Sequence, residues 1–247
     1  MNTGVLLIVG VAAVWAALRE VGRQADAVSE RIRSERDGDF DARHGVDTDG
    51  EIPIEQFGLP PDIVARAERY MPTDQTSLFG AVAFIGIDPA RFTFVDLGCG
   101  KGRALIMASE LKFRRIIGAE IVPELADIAR ANLAGLGVAA DVRTMDARFF
   151  VFPPGPVVLF LYNPFNAEVI EAVIATLRTA DIPELFIVYK NPRHGSLLDA
   201  SGFLTNLGFP PGRYARSDVQ IWRLNSPQTE REAEGLVQAT WQPKNQA

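Results

Sequence analysis

The stretch Phe92–Arg103 reads FTFVDLGCGKGR, and its succession of residue types decides the fold. A short apolar run ends abruptly in Gly98, Gly100 and Gly102, as expected where a buried strand turns into a helix. That helix is expected over Gly102–Leu111. Outward from it the same alternation repeats. Strands are expected at Arg115–Ile121 (RIIGAEI), Ala140–Met145, Val157–Tyr162 (VVLFLY) and Glu184–Lys190. Between and after them, helices are expected over Pro123–Leu136, Ala167–Thr179 and Leu197–Leu207, the first with proline in its opening turn. Tyr214–Arg216 and Val219–Leu224 read as a closing hairpin pair whose final strand runs antiparallel to its neighbours. This alternation predicts an α/β fold: a doubly wound, seven-stranded, mostly parallel sheet covered by helices, with Phe92–Leu97 central. Such a sheet binds ligands at the carboxyl ends of its strands.

Composition narrows the function. The chain has 247 residues, 47% of them apolar and 23% charged, which is globular rather than disordered. Its 25 Lys and Arg against 31 Asp and Glu leave a net charge of −6, so no global basic field draws in nucleic acid. One cysteine, Cys99, excludes an intramolecular disulfide and a Cys-rich zinc module. Two histidines, His44 and His194, argue against a His-based metal site, and no metal is expected.

The ends differ from the middle. Gly4–Leu18 carries no charge, and Arg19, Arg23, Arg31, Arg33 and Arg36 all follow it. Residues 1–22 therefore read as a hydrophobic N-terminal anchor helix, although the uncharged run is shorter than the roughly 20 residues of a usual span. The arginines that follow assign the catalytic domain to the cytoplasmic side of a single-pass membrane protein. A cleaved signal and a cytoplasmic, buried or oligomerising helix are the other readings. Arg23–Glu51 holds 14 charged residues in 29, and residues 23–60 read as a charged linker. Residues 61–225 form the main domain and 226–247 a polar tail.

The loop spacing is Gly-x-Gly-x-Gly, one residue shorter than the dinucleotide fingerprint, and it lacks the Gly-Lys-Ser/Thr end of a phosphate loop. Glu120 closes the second strand, where a carboxylate can accept ribose hydroxyls. Asp146 closes the third, placed to accept an adenine amino hydrogen, and Asn163-Pro164-Phe165 closes the fourth. In FVDLGCGKGR, IIGAEI and LYNPF, over about Tyr70–Lys190, the chain resembles the class I S-adenosylmethionine-dependent methyltransferases. The resemblance implies S-adenosylmethionine as cofactor, packed on the glycine loop with Asp96, Gly98, Gly100, Gly102, Glu120 and Asp146 in contact. Asp96 would stand near the cofactor's amino group or serve only to order the loop.

Around these, Cys99, Arg103, Ile121, Ala147 and Asn163 complete the candidate cofactor residues together with Tyr70 and Thr73. The last two precede an expected helix, Ser77–Ile85, and either fold over the cofactor or cap that helix. Cys99 reads as a small loop residue, and Arg103 either reaches a carboxylate or opens its helix. Asn163, Pro164 and Phe165 are the catalytic candidates. Enzymes of this class that methylate adenine or glutamine nitrogens carry Asn/Asp-Pro-Pro-Tyr/Phe there; this chain has one proline fewer. A proline turn over a packed Phe165 is the competing reading.

An apolar N-terminal segment before the glycine loop is also similar to membrane-anchored protein-lysine methyltransferases, whose loop usually has an acidic residue where Lys101 stands here. The expected function is methylation of nitrogen on a protein or small amine at the membrane face. A non-catalytic S-adenosylmethionine-binding regulatory or assembly module is the alternative. The loop spacing disfavours a nicotinamide oxidoreductase, and the net charge disfavours a nucleic-acid substrate.

Overall fold

Every residue of Thr93–Leu97 is buried, as an apolar strand covered on both faces must be. In the computed structural model, which describes residues 40–209 and 218–225, this segment is β1. It is followed by β2 (Arg115–Glu120), β3 (Asp141–Thr144), β4 (Val157–Tyr162), β5 (Leu185–Lys190), β6 (Leu204–Gly208) and β7 (Val219–Leu224). They form one sheet in the order β3-β2-β1-β4-β5-β7-β6. Strands β1 to β5 are mutually parallel, and β7 is antiparallel to both β5 and β6. The interior position of β1 and the reversed final strand agree with the sequence pattern. The core lies largely against β1, β4 and β5, where Val95, Leu159, Ile187 and Tyr189 pack with Val169, Ile170 and Val173 of the helix Ala167–Thr179.

The chain divides into two units, residues 1–45 and 46–247. The described part of the first is the helix Phe40–His44 with Gly45; His44 Nδ1 lies 2.8 Å from the Phe40 carbonyl oxygen. All that follows concerns the second. The expected anchor 1–22, the strand Tyr214–Arg216 and the tail 226–247 lie outside the described residues. Among those described, no helix is long and apolar enough to cross a membrane.

Two expectations need correction. The expected helix Leu197–Leu207 is instead a short helix, Gly195–Asp199, followed by β6. Gly202, at φ +79°, breaks the helical path, and Leu204–Gly208 gains a ladder with β7 that a helix there would forfeit. The second correction is at residues 46–60, which charge density assigns to a linker. Thr48 and Ile54 are buried, and Ile52 exchanges backbone hydrogen bonds with Tyr70. Two buried cations described below supply the counter-charges that composition alone does not reveal.

Candidate functional site

The glycine loop rises from β1 and turns back over β2, with the backbone N–H of Gly98 and of Cys99 both donating to the Ala119 carbonyl. Gly98 and Gly100 have φ of +85° and +52°, which glycine adopts without strain. Both are also crowded. A Cβ on Gly98 would stand 2.6 Å from Pro164 Cβ, and one on Gly100 would stand 2.3 Å from the Tyr70 ring. The loop is therefore covered from one side by the Asn163-Pro164-Phe165 turn and from the other by Tyr70. Cys99 is buried with Sγ against Gly118. Burial, then Asp96 and Glu120, push its thiol well up, which suits a packing residue rather than a nucleophile.

A cleft of about 750 Å³ opens at the carboxyl ends of β1 to β4. Of the expected site residues, Tyr70, Gly98, Gly100, Glu120, Ile121, Asp146, Ala147, Pro164 and Phe165 line it. Thr73, Asp96, Cys99 and Arg103 instead line a smaller cavity, which shares Tyr70, Met71, Gly98 and Tyr162 with the larger one. The two are lobes of one depression that meet over the first glycine. Gly102 lines neither; it opens the helix Arg103–Glu110 and packs on Ala129. Asn163 also lines neither. It is buried at φ +38°, and its Oδ1 has no hydrogen-bond partner among the described residues. Backbone strain combined with an unpaired buried acceptor tends to gather at working sites.

Two carboxylates sit at the centre. Glu120 accepts the Gly100 N–H on Oε2 at 2.8 Å and the Val122 N–H on Oε1 at 2.9 Å. A carboxylate has about four acceptor positions, so the group keeps acceptor capacity for a ligand. Burial raises the Glu120 carboxyl above its ordinary value, against those backbone N–H groups and that of Ile121. Asp96 is buried and raised well above its ordinary value, by burial first and by Glu120 second. No hydrogen bond to its carboxylate is present among the described residues. Asp146 behaves differently. Burial works to raise it, but Arg148, bonded through its guanidinium and its backbone N–H, holds it below the usual carboxylate range. Asp146 thus caps the short 3₁₀ turn Ala147–Phe149 as well as facing the cleft.

Sequence reasoning misses what holds Tyr70 in place. Lys101 Nζ donates to Asp47 Oδ1 at 2.7 Å and to the Asp49 carbonyl at 3.0 Å. Arg103 Nε donates to Thr48 Oγ1 at 2.7 Å, and Tyr70 Oη donates to the Thr48 carbonyl at 2.5 Å. Asn132 adds three bonds, to Asp47 N, Asp47 O and Lys101 O. Residues 47–49 are thus strapped to the glycine loop and hold the Tyr70 ring over Gly100. Arg103 serves this strap as well as opening its helix. Neither Tyr70 nor Thr73 caps the next helix, which starts earlier than expected, at Gln75: its cap is Asp74, accepting the Ser77 N–H. Tyr162 is also missed. Its signal is its place as the last residue of the most apolar strand.

Residues 94–180 match the family model described as a methyltransferase domain. Over 123 residues the chain is 30% identical to the ribosomal protein L11 methyltransferase of Edwardsiella ictaluri, covering 49% of this chain and 37% of that protein. Solved structures similar to it include a ribosomal protein L11 methylase from Lactobacillus delbrueckii subsp. bulgaricus (17% identity, TM-score 0.44, 61% of this chain and 78% of that one). Another is a SAM-dependent methyltransferase from Leishmania major (16% identity, TM-score 0.47, 61% and 72%). Residues 94–180 are a methyltransferase domain of the class I, S-adenosylmethionine-dependent type. The chain spans little more than a third of the length of its curated relative.

Proposed function

We propose that the chain binds S-adenosylmethionine in the two-lobed depression and transfers its methyl group to nitrogen on a protein or small amine. The observation that carries this is the pair of buried carboxylates beside the glycine loop, Asp96 lining the smaller lobe and Glu120 lining the larger one with the Gly100 N–H bonded to it. The residues present fit the cofactor. The larger lobe is walled by Ile121, Val122 and Leu125, and has Glu120 with spare acceptor capacity for ribose hydroxyls. The smaller lobe offers the Asp96 carboxylate for an ammonium, and the Thr73 hydroxyl, which has no hydrogen-bond partner among the described residues.

When bound, S-adenosylmethionine supplies a methyl group already activated on a sulfonium. The chain's part is to orient the groups and to exclude water, terms that lower a barrier by several kcal/mol. Tyr70 and Pro164 pack against the loop glycines, and the buried Asn163 Oδ1 at the end of β4, which lines neither lobe as the chain stands, would have to turn toward the depression to accept from the target nitrogen. Similarity to an enzyme named for a ribosomal protein supports a protein acceptor. The apolar run Gly4–Leu18 supports a membrane-face location. Recovery of the full chain in the soluble fraction without detergent would refute that location.

Isothermal titration of the full chain should show S-adenosylmethionine and S-adenosylhomocysteine binding, with NAD silent. Absence of binding by folded protein at millimolar ligand overturns the reading. Binding without methyl transfer from labelled cofactor to any protein of the source extract would favour the non-catalytic module instead.

A further inference from the structure

A buried ion pair stands beside the depression, and the scheme above leaves it without a role. Lys190, the last residue of β5, donates from Nζ to Asp74 Oδ2 at 2.5 Å, with side-chain exposures of 5% and 10%. The same Nζ lies 4.3 Å from the centroid of the Tyr162 ring, within cation–π range. Asp74 also caps the helix Gln75–Ile85: Oδ1 accepts the Ser77 N–H, and Oδ2 accepts the Ser77 hydroxyl at 2.7 Å. Directly before Asp74 runs the strap Tyr70–Thr73, which covers Gly100 at one end and at the other places Thr73, whose hydroxyl has no hydrogen-bond partner among the described residues, in the lining of the smaller lobe.

We infer that Lys190 is a positioning residue, tying the Tyr70–Thr73 strap to the sheet through Asp74 and setting the Tyr162 wall shared by both lobes. The inference rests on the proposed cofactor reading. The energetics point the same way. Two buried charges recover little more than they lose in desolvation, so uncharged residues of similar size usually serve folding as well. What they would not reproduce is directionality. Lys190 is a cation aimed at one carboxylate and one ring, and it fixes where the strap ends.

The test uses the full chain carrying Asp74→Asn, Lys190→Met or both, with Lys190→Arg as the conservative variant. Asparagine keeps the helix-capping oxygen, and the double variant removes both charges of the Lys190–Asp74 pair together. Three quantities are read: melting temperature, affinity for S-adenosylhomocysteine, and the rate of trypsin cleavage after Arg69 without ligand. The double variant is expected to melt within a few degrees of wild type. Its affinity should fall at least tenfold and its cleavage after Arg69 should accelerate several-fold, with Lys190→Arg recovering part of both. A folded double variant with affinity and cleavage within twofold of wild type overturns the inference. If the double variant does not fold, Asp74→Asn is judged by the same two readouts. If wild type itself does not bind the ligand, the cofactor reading fails, and cleavage after Arg69 alone decides the role of Lys190.

Discussion

Gly100→Ala is expected to destabilise the protein by about 3 kcal/mol and to remove measurable binding of S-adenosylhomocysteine. Two costs combine. The left-handed φ of +52° disfavours any side chain by about 1–2 kcal/mol. The new methyl would also stand 2.3 Å from the Tyr70 ring, and overpacking of that kind costs about 1–3 kcal/mol. The ring cannot swing aside cheaply. Its hydroxyl is bonded to Thr48, and its backbone pairs with Ile52. The partition between the costs is itself measurable, because Tyr70→Ala removes the collision and leaves the backbone strain. In that background, denaturant melts should show the alanine costing less than half as much, a coupling of contacting residues visible in a double-mutant cycle. Equal costs in both backgrounds would show that Tyr70 is not what the glycine makes room for.

The sheet was legible because its signals are local. An apolar run ending in glycines, or in an acid followed by a proline turn, places a strand end to within a residue or two. Val157–Tyr162 and Ala167–Thr179 have the boundaries that the sequence pattern predicts. Leu204–Gly208 departs from the expected helix because its burial alternates only weakly and its ladder with β7 is formed across a segment of chain that gives no periodic signal. A five-residue edge strand next to a short helix has little local pattern to distinguish it from the helix continuing.

The site divides along the same line. Asp96, Gly98, Gly100 and Glu120 sit on the loop and strand ends where their spacing put them. Residues 47–49 look like solvated linker because their partners, Lys101 and Arg103, are more than fifty positions away. Lys190 and Asp74 are separated by 116 positions, and nothing near either predicts the pairing. Glu120 shows a subtler gap. Its place was legible, but not that both oxygens also hold backbone N–H groups. It is therefore a brace for the glycine loop as much as a candidate ligand contact, and its replacement by alanine would loosen Gly100 even without a cofactor.

Asp96→Asn is expected to make the ligand-free protein more stable at pH values above the Asp96 titration while lowering affinity for S-adenosylmethionine at least tenfold. The carboxyl of Asp96 is raised well above its ordinary value by burial and by Glu120. A raised acid binds its proton more tightly in the folded than in the unfolded state. The resulting stabilisation is complete below the unfolded value and is lost as pH rises through the folded one. Asparagine does not titrate, so wild type and variant should melt alike at low pH and diverge as pH climbs. Above the raised value the variant should gain about 2 kcal/mol, a rise in Tm of about 6 °C, from no longer burying an unpaired charge. The same charge is what a cationic amino group in the smaller lobe would meet, so the gain in stability and the loss of binding have one cause. Glu120→Gln should bring part of the stability gain forward, since it lowers the Asp96 value by removing the neighbouring charge. Its own loss of loop bonding works against any net gain. A variant that melts below wild type across the whole pH range would mean that the Asp96 carboxyl itself is needed to order the loop, and the gain expected from removing a buried charge would then be absent.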